Sequence, residues 1–308
     1  MYYIRHFYIY PYDNNLKSIL ENEYGIPCEV LKDPFTDKET SFVFDVSDLH
    51  PRIDDLNKVL PEDTLHKLPD EQGGNGCAQE RVLVSYHPQY SEDERRRAKW
   101  LCARNITSKI VPVNCETVDG HECFIKKSKL GYPIGRHELQ NEPYVIKSSV
   151  KWGRSAFVSA QYHTERLFCN DTIRTLLNAQ GITGVHYLPV IKKTTKQPMN
   201  DIYQLSFTHT IPDGAVIGIA RMEDYVCDQC GMHMLRWGDG RSHFGLRNGI
   251  LDENIDLWQT QPMFLGSAPT EAVRGSRQLI ISQRLYRVLK DNKLDRGFAF
   301  TPLDMVDV

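Results

Sequence analysis

Residues 279–289, LIISQRLYRVL, align without a gap on residues 167–177, LFCNDTIRTLL, and this pairing sets the expected fold. Each stretch begins as a short apolar run, meets a small polar residue and continues with apolar positions at helical spacing. Asn170 and Ser282 mark the helix starts, because a short side-chain oxygen there accepts a backbone N–H that the first turn leaves unpaired. Ile173, Leu176 and Leu177 in one copy, and Leu285, Val288 and Leu289 in the other, fall at i, i+3 and i+4 and form one buried stripe. Beyond each helix the chain returns to an apolar segment beside a proline, GITGVHYLPV in the first copy and DRGFAFTPL in the second, with one residue inserted. Gly181 suits a left-handed helix end, Asn292 takes that part in the second copy, and strands are expected over 185–190 and 298–303.

A looser third copy reads YSEDERRRAKWLCARNITSKIVPVN, residues 90–114. Ser91 and Glu94 have the spacing of a capping box, and Ala98, Leu101 and Cys102 supply the inner face of a helix about a turn longer than the others. A strand ending near Pro112 follows. At the N-terminus, FYIY followed by NNLKSILENEYGI fits the same rhythm. The expected class is α+β, with repeated strand–helix–strand units on mixed or antiparallel sheets. Two similar domains are expected, 1–128 and 129–308, joined in the Lys-, Gly- and Pro-containing stretch 125–142 that has no apolar period.

Composition bounds the function. At 308 residues and 41% apolar content the chain can bury a core in each domain. It shows neither a long apolar run nor the zones of a signal peptide, so a cytoplasmic protein with no membrane association is expected. A formal net charge of −3 argues against a general nucleic-acid binder. Residues 1–80 hold 16 acidic against 7 basic side chains, and a region of that sign can steer a basic partner. The eight cysteines, in a reducing compartment, read as thiols or metal ligands rather than a disulfide framework.

The sharpest chemical signal is VCDQCGMHM, residues 226–234. Two thiolates three residues apart can reach one ion, and the glycine after them permits the tight turn of a zinc knuckle. Zinc takes four ligands, so Cys227 and Cys230 need two more. His233 and His243 are nearest in sequence, with Cys115, His121 and Cys123 as a second supply. A plain thiol pair and a redox dithiol are the other readings. A redox dithiol belongs at a helix start, whereas Met232, Met234, Trp237, Gly238 and Gly240 point to a loop or hairpin. Elsewhere Cys169, with His163 and His186 nearby in sequence, is the best nucleophile on offer. The repeat sets Ile281 at the equivalent position, which makes Cys169 a small apolar strand residue. Asp54 with Asp55 and Glu92 with Asp93 read as solvated surface carboxylates.

The C-x-x-C-G turn (Cys227, Cys230, Gly231), together with the helix start at Ile281-Ser282 and the strands over 185–190 and 298–303, resembles the bacterial double-CxxCG motif proteins. The resemblance covers mainly residues 90–308. Some members are toxin-immunity proteins, so it implies a cytosolic protein that neutralises a cognate protein toxin by direct binding, more a non-enzyme than an enzyme. A structural zinc would then pin a C-terminal loop through Cys227, Cys230, His233 and His243. This chain departs from the pattern in having one intact C-x-x-C; Cys115 and Cys123 are spaced differently, with His121 between them. The alternative is a zinc-dependent enzyme of unknown substrate, in which Cys227 and Cys230 hold a catalytic ion.

Overall fold

The structure is a computed structural model. It describes residues 2–10, 13–32, 37–60, 81–105, 108–110, 123–124, 136–137, 143–146, 149–160, 163–218, 222–226, 233–237, 244–265 and 276–307. Among these, contacts divide the chain after Tyr90 into two compact units.

The first unit contains β1 (Tyr2–Tyr10), α1 (Asn14–Tyr24), β2 (Glu29–Lys32), β3 (Glu39–Ser47), α2 (Ile53–Val59) and β4 (Arg81–Gln89). Its strands form one sheet in the order β2-β3-β1-β4, every neighbour antiparallel. Alternation sends Phe7 and Ile9 of β1, and Phe42, Phe44 and Val46 of β3, into one core with Leu20 of α1 and Leu56 of α2. Asp13 caps α1 by accepting from the N–H groups of Asn15 and Leu16.

The second unit begins with α3 (Glu92–Arg97), β5 (Trp100–Asn105), β6 (Ser108–Ile110), β7 (Cys123–Phe124), β8 (Arg136–His137) and β9 (Val145–Ile146). It continues through β10 (Phe157–Ala160), β11 (His163–Cys169), α4 (Asp171–Ala179), β12 (Val185–Lys192), β13 (Pro198–Phe207), β14 (Thr210–Ile211), β15 (Val216–Gly218), β16 (Met222–Val226) and β17 (His233–Trp237). It ends with β18 (Phe244–Arg247), β19 (Leu257–Thr260), β20 (Met263–Leu265), β21 (Leu279–Ser282), α5 (Gln283–Asp291), β22 (Phe298–Pro302) and β23 (Asp304–Val306). The mixture of helices with antiparallel and mixed sheets is the α+β class expected. No helix among the described residues is long and apolar enough to cross a membrane.

The two aligned stretches fold alike, as β11–α4–β12 and β21–α5–β22. Asn170 Oδ1 accepts from Ile173 N, and Ser282 Oγ accepts from Leu285 N. Ile173 and Leu177 are buried with Leu176 partly so, and Leu285 and Leu289 are buried with Val288 partly so, the same pattern in each copy. The single insertion falls between the helix end and the strand, since Gly184 and Gly297 precede the two strands at φ +87 and +88. One detail differs from expectation. The left-handed residue ending α5 is Lys293, φ +56, while Asn292 keeps a negative φ, −94 with ψ 5, outside the helical region. The gapless alignment sets Lys293 on Gly181, which ends α4 at φ +64.

The likeness extends to strand pairing. β11 and β12 flank β13, each antiparallel to it, in the sheet ordered β6-β10-β11-β13-β12-β9. β21 and β22 flank β5 in the same way, in the sheet ordered β14-β19-β21-β5-β22. Cys169 pairs with Tyr203 and Val185 with Phe207; Ile281 pairs with Leu101 and Phe298 with Asn105. On the other side Phe157 meets Cys169 and Leu257 meets Ile281. Corresponding residues therefore hold corresponding registers across four strands, although the middle strand follows its helix in one copy and precedes it in the other. The inner faces of both copies, with α4 and α5, close one shared core.

The third copy is corrected by this arrangement. Its capping box forms, but α3 ends at Arg97, and Ala98 turns extended at φ −64, ψ 130. Leu101 and Cys102 lie on β5 and not on a longer helix. Leu101 and Ala103 face the shared core while Trp100 and Cys102 face the neighbouring cluster, so the apolar run WLCA suits a central strand buried on both faces. Contacts among the described residues divide the chain after Tyr90, with β5 between β21 and β22 in the second unit, which also contains both aligned units; the expected boundary at 128 lies outside the described residues. The outer edge of β22 is blocked: Arg95 Nε of α3 donates to Phe300 O at 3.0 Å, and Pro302 has no N–H to offer.

Capping predicts an ordered pair of effects. Asn170→Ala removes one cap bond, a loss of about 1 kcal/mol. Ser282 caps α5 and also donates to Asp256 Oδ1 at 2.6 Å from a buried position, so Ser282→Ala should cost about 2 kcal/mol. Urea unfolding of both variants checks the order.

Candidate functional site

β16 and β17 pair antiparallel from Met222 opposite Trp237 to Val226 opposite His233. Residues 227–232, CDQCGM, connect the paired strands. Cys227 and Cys230 lie outside the described residues, as do His243, Cys115 and His121. Cys123 is on β7, where it pairs opposite His137 of β8. Of Cys227, Cys230, His233 and His243, His233 is thus the described one. Among the described residues alone, no group of three or more His, Cys, Asp or Glu is poised to hold a metal.

The surroundings of His233 are well defined. Met234 is fully buried, and Leu235 joins Phe244 and Phe264 in one core cluster. β20 lies parallel beside β17 with Phe264 opposite Leu235, and the Phe244 ring packs 4.8 Å from the Phe264 ring. His243 is the chain neighbour of Phe244. His233 Nδ1 lies 3.2 Å from Asp213 Oδ2, the two side chains being 15% and 35% exposed. Sequence reasoning missed Asp213, which precedes His233 by twenty residues in a segment with no motif of its own.

The described thiols, Cys169, Cys102 and Cys28, are poorly suited to nucleophilic chemistry. Cys169 is fully buried in the shared core, and burial pushes its pKa up to about 12. Cys102 rises by burial to about 12, and Cys28, also chiefly by burial, to about 11. Such thiols stay protonated near neutral pH, and the thiolate is the reactive form. His186 is exposed on β12.

A second polar centre, also missed from sequence, fastens the two copies together. Asp256, 1% exposed, precedes β19. Its Oδ1 accepts from Ser282 Oγ at 2.6 Å and Arg284 Nε at 3.0 Å. Its Oδ2 accepts from Thr183 N at 2.9 Å, Thr183 Oγ1 at 3.1 Å and the second arm of Arg284. Arg284 also donates to Gly181 O at 2.9 Å, at the end of α4. Burial alone would raise the Asp256 pKa; the hydrogen bonds from Arg284, Ser282 and Thr183, with the Arg284 charge, outweigh it and hold the carboxyl below its usual range.

A similar fastening joins α3 to α5. Tyr286 OH donates to both Glu92 oxygens at 3.0 Å, and Arg96 Nε donates to Glu92 at 3.1 Å. The Gln283 amide donates to the carbonyls of Arg95, Arg96 and Ala98 at the end of α3. Burial, with the Glu92 bond next, pushes the Tyr286 pKa up to about 12.

No protein-family model matches this sequence, and no curated protein matches it.

Proposed function

We propose that this chain is a cytoplasmic protein-binding protein of the immunity type, which neutralises a cognate bacterial protein toxin by covering it, with a structural zinc pinning the β16–β17 hairpin. The observation that carries the reading is the employment of the ionisable side chains. Asp256, Arg284, Glu92 and Tyr286 are engaged in joining one element to another, as a binding scaffold requires. The acidic excess in the sequence of residues 1–80 suits a basic partner. The hairpin supports the zinc, because its last strand pair, Val226 with His233, brackets Cys227 and Cys230 in the chain.

A pull-down of the tagged chain from its native host tests the role. One stoichiometric protein partner, whose toxicity the chain suppresses on co-expression, is the expected result. Recovery of no stoichiometric protein contradicts it. A zinc enzyme is the second reading, favoured by the carboxylate beside His233, a feature of catalytic zinc sites too. An ion with four protein ligands speaks for the first reading, and one with three ligands and solvent for the second.

A further inference from the structure

Arg247 ends β18, and the exposed residues Asn248 and Gly249 turn the chain away from it. Asn248 N–H donates to Val306 O at 2.9 Å, just past the parallel pairing of Arg247 with Val306 that joins β18 to β23. Its side-chain Nδ2 donates to Asp307 Oδ1 at 2.9 Å. Its Oδ1 accepts from Gly249 N at 3.0 Å, so the side-chain amide is folded back over the next peptide nitrogen. Gly249 sits at φ +78 with nothing within 4 Å of where a Cβ would lie, and that nitrogen carries no neighbouring side chain to shield it. β23 depends on this corner, because β18 is its pairing strand at the edge of the sheet β15-β18-β23.

We propose that Asn248–Gly249 is a self-modifying turn, in which the Asn248 amide becomes a carboxylate without an enzyme and thereby loosens β23 from β18. The Gly249 nitrogen, its proton passed to solvent base, attacks Asn248 Cγ and closes a five-membered ring. The new C–N bond replaces the Cγ–Nδ2 bond, and Nδ2 leaves as ammonia with a proton from water. Water then opens the cyclic imide at one of its two carbonyls. The product is an aspartyl residue, or an isoaspartyl one whose main chain runs through Cβ. One water is added to the imide, one ammonia is released, and nothing is oxidised or reduced. At 248 the change removes the donor that faces Asp307 and sets a like charge against it. The isoaspartyl form also lengthens the main chain beside the bond to Val306 O. Leu303, buried just before β23 with its N–H on Trp100 O, keeps its own anchor, so the loosening is confined to β23 and Asp307.

Asn254 is the internal control: it is also exposed, but the β-branched Ile255 follows it, and its N–H and Nδ2 both donate to Asp252 Oδ1. The folded full-length chain is aged in mildly alkaline buffer, and amide loss is located by electron-transfer fragmentation of its peptides. Loss at Asn248, as mixed aspartyl and isoaspartyl products, should run well ahead of loss at Asn254. Hydrogen exchange of the β23 amides should be roughly fivefold faster in Asn248→Asp than in wild type. Combining Asn248→Asp with Asp307→Asn sets a donor opposite a carboxylate again and should return the exchange toward wild type. Amide loss at Asn248 no faster than at Asn254 overturns the self-modification. Unchanged exchange in Asn248→Asp overturns the loosening of β23. Should that variant not fold, exchange in the aged wild-type chain decides in its place.

Discussion

Replacing Gly184 by alanine should destabilise the protein by about 4 kcal/mol, adding the strain of a left-handed non-glycine residue to overpacking against a backbone. Gly184 sits at φ +87, and a Cβ there would lie 2.3 Å from Leu257 O and 2.9 Å from Ile255 Cγ2. Leu257 O is main chain at the start of β19 and cannot rotate aside, so the junction of the two copies must open. Gly181 is the matched control. It too is left-handed, φ +64, yet nothing lies within 4 Å of its Cβ position. Gly181→Ala should therefore cost about 1 kcal/mol. At the usual scaling for a unit of this size, the first variant lowers the unfolding midpoint by roughly 10 °C and the second by about 3 °C. Equal midpoints would mean that the close approach of Gly184 to β19 is not a feature of the molecule.

Asp256→Ala attacks the same junction from its polar side. The substitution strips the acceptor from the half-buried Thr183 N–H and the buried Ser282 Oγ, while Thr183 Oγ1 keeps the Asn254 carbonyl at 2.7 Å. Arg284 is half exposed and can turn to water, so Ser282 Oγ and Thr183 N–H dominate the loss, about 3 kcal/mol. Asp256→Asn keeps an acceptor and should lose less. The pH dependence has a definite sign. Because the folded carboxyl titrates below its ordinary value near 3.8, its contribution is fully present above that value and is lost as pH falls through the lower, folded one. Urea midpoints measured from pH 6 down to 2 should show a shallower acid decline in Asp256→Asn than in wild type. Parallel declines would remove Asp256 from the account of acid stability.

Both variants strike features of unequal legibility. The paired strand–helix–strand units, their caps at Asn170 and Ser282, and the single insertion are all written in local sequence, because capping and helical periodicity act over three or four residues. Lys293 could have been placed by the same gapless alignment that sets it on Gly181; the preference of Asn for left-handed backbone pointed one residue early. β5 was harder. Ala98, Leu101 and Cys102 have helical spacing, and only pairing with β21 and β22, some 180 to 200 residues away, makes WLCA a doubly buried strand. The same long-range pairing sets β5 in the second unit, which begins after Tyr90, where composition gives no signal. Asp256 and Arg284 are remote from Thr183, and Asp213 from His233, so neither centre has a motif. The C-x-x-C motif itself, by contrast, is local, and Val226 and His233 on either side of it in the chain pair across antiparallel strands.

The zinc-held hairpin is tested most directly by counting metal in the purified full-length chain and in Cys227→Ser by inductively coupled plasma mass spectrometry, with thermal unfolding of both. The account predicts one tightly held zinc per wild-type chain, its absence from Cys227→Ser, and a lower unfolding midpoint for that variant. A wild-type chain without zinc, or a Cys227→Ser chain that keeps both its zinc and its midpoint, would contradict it.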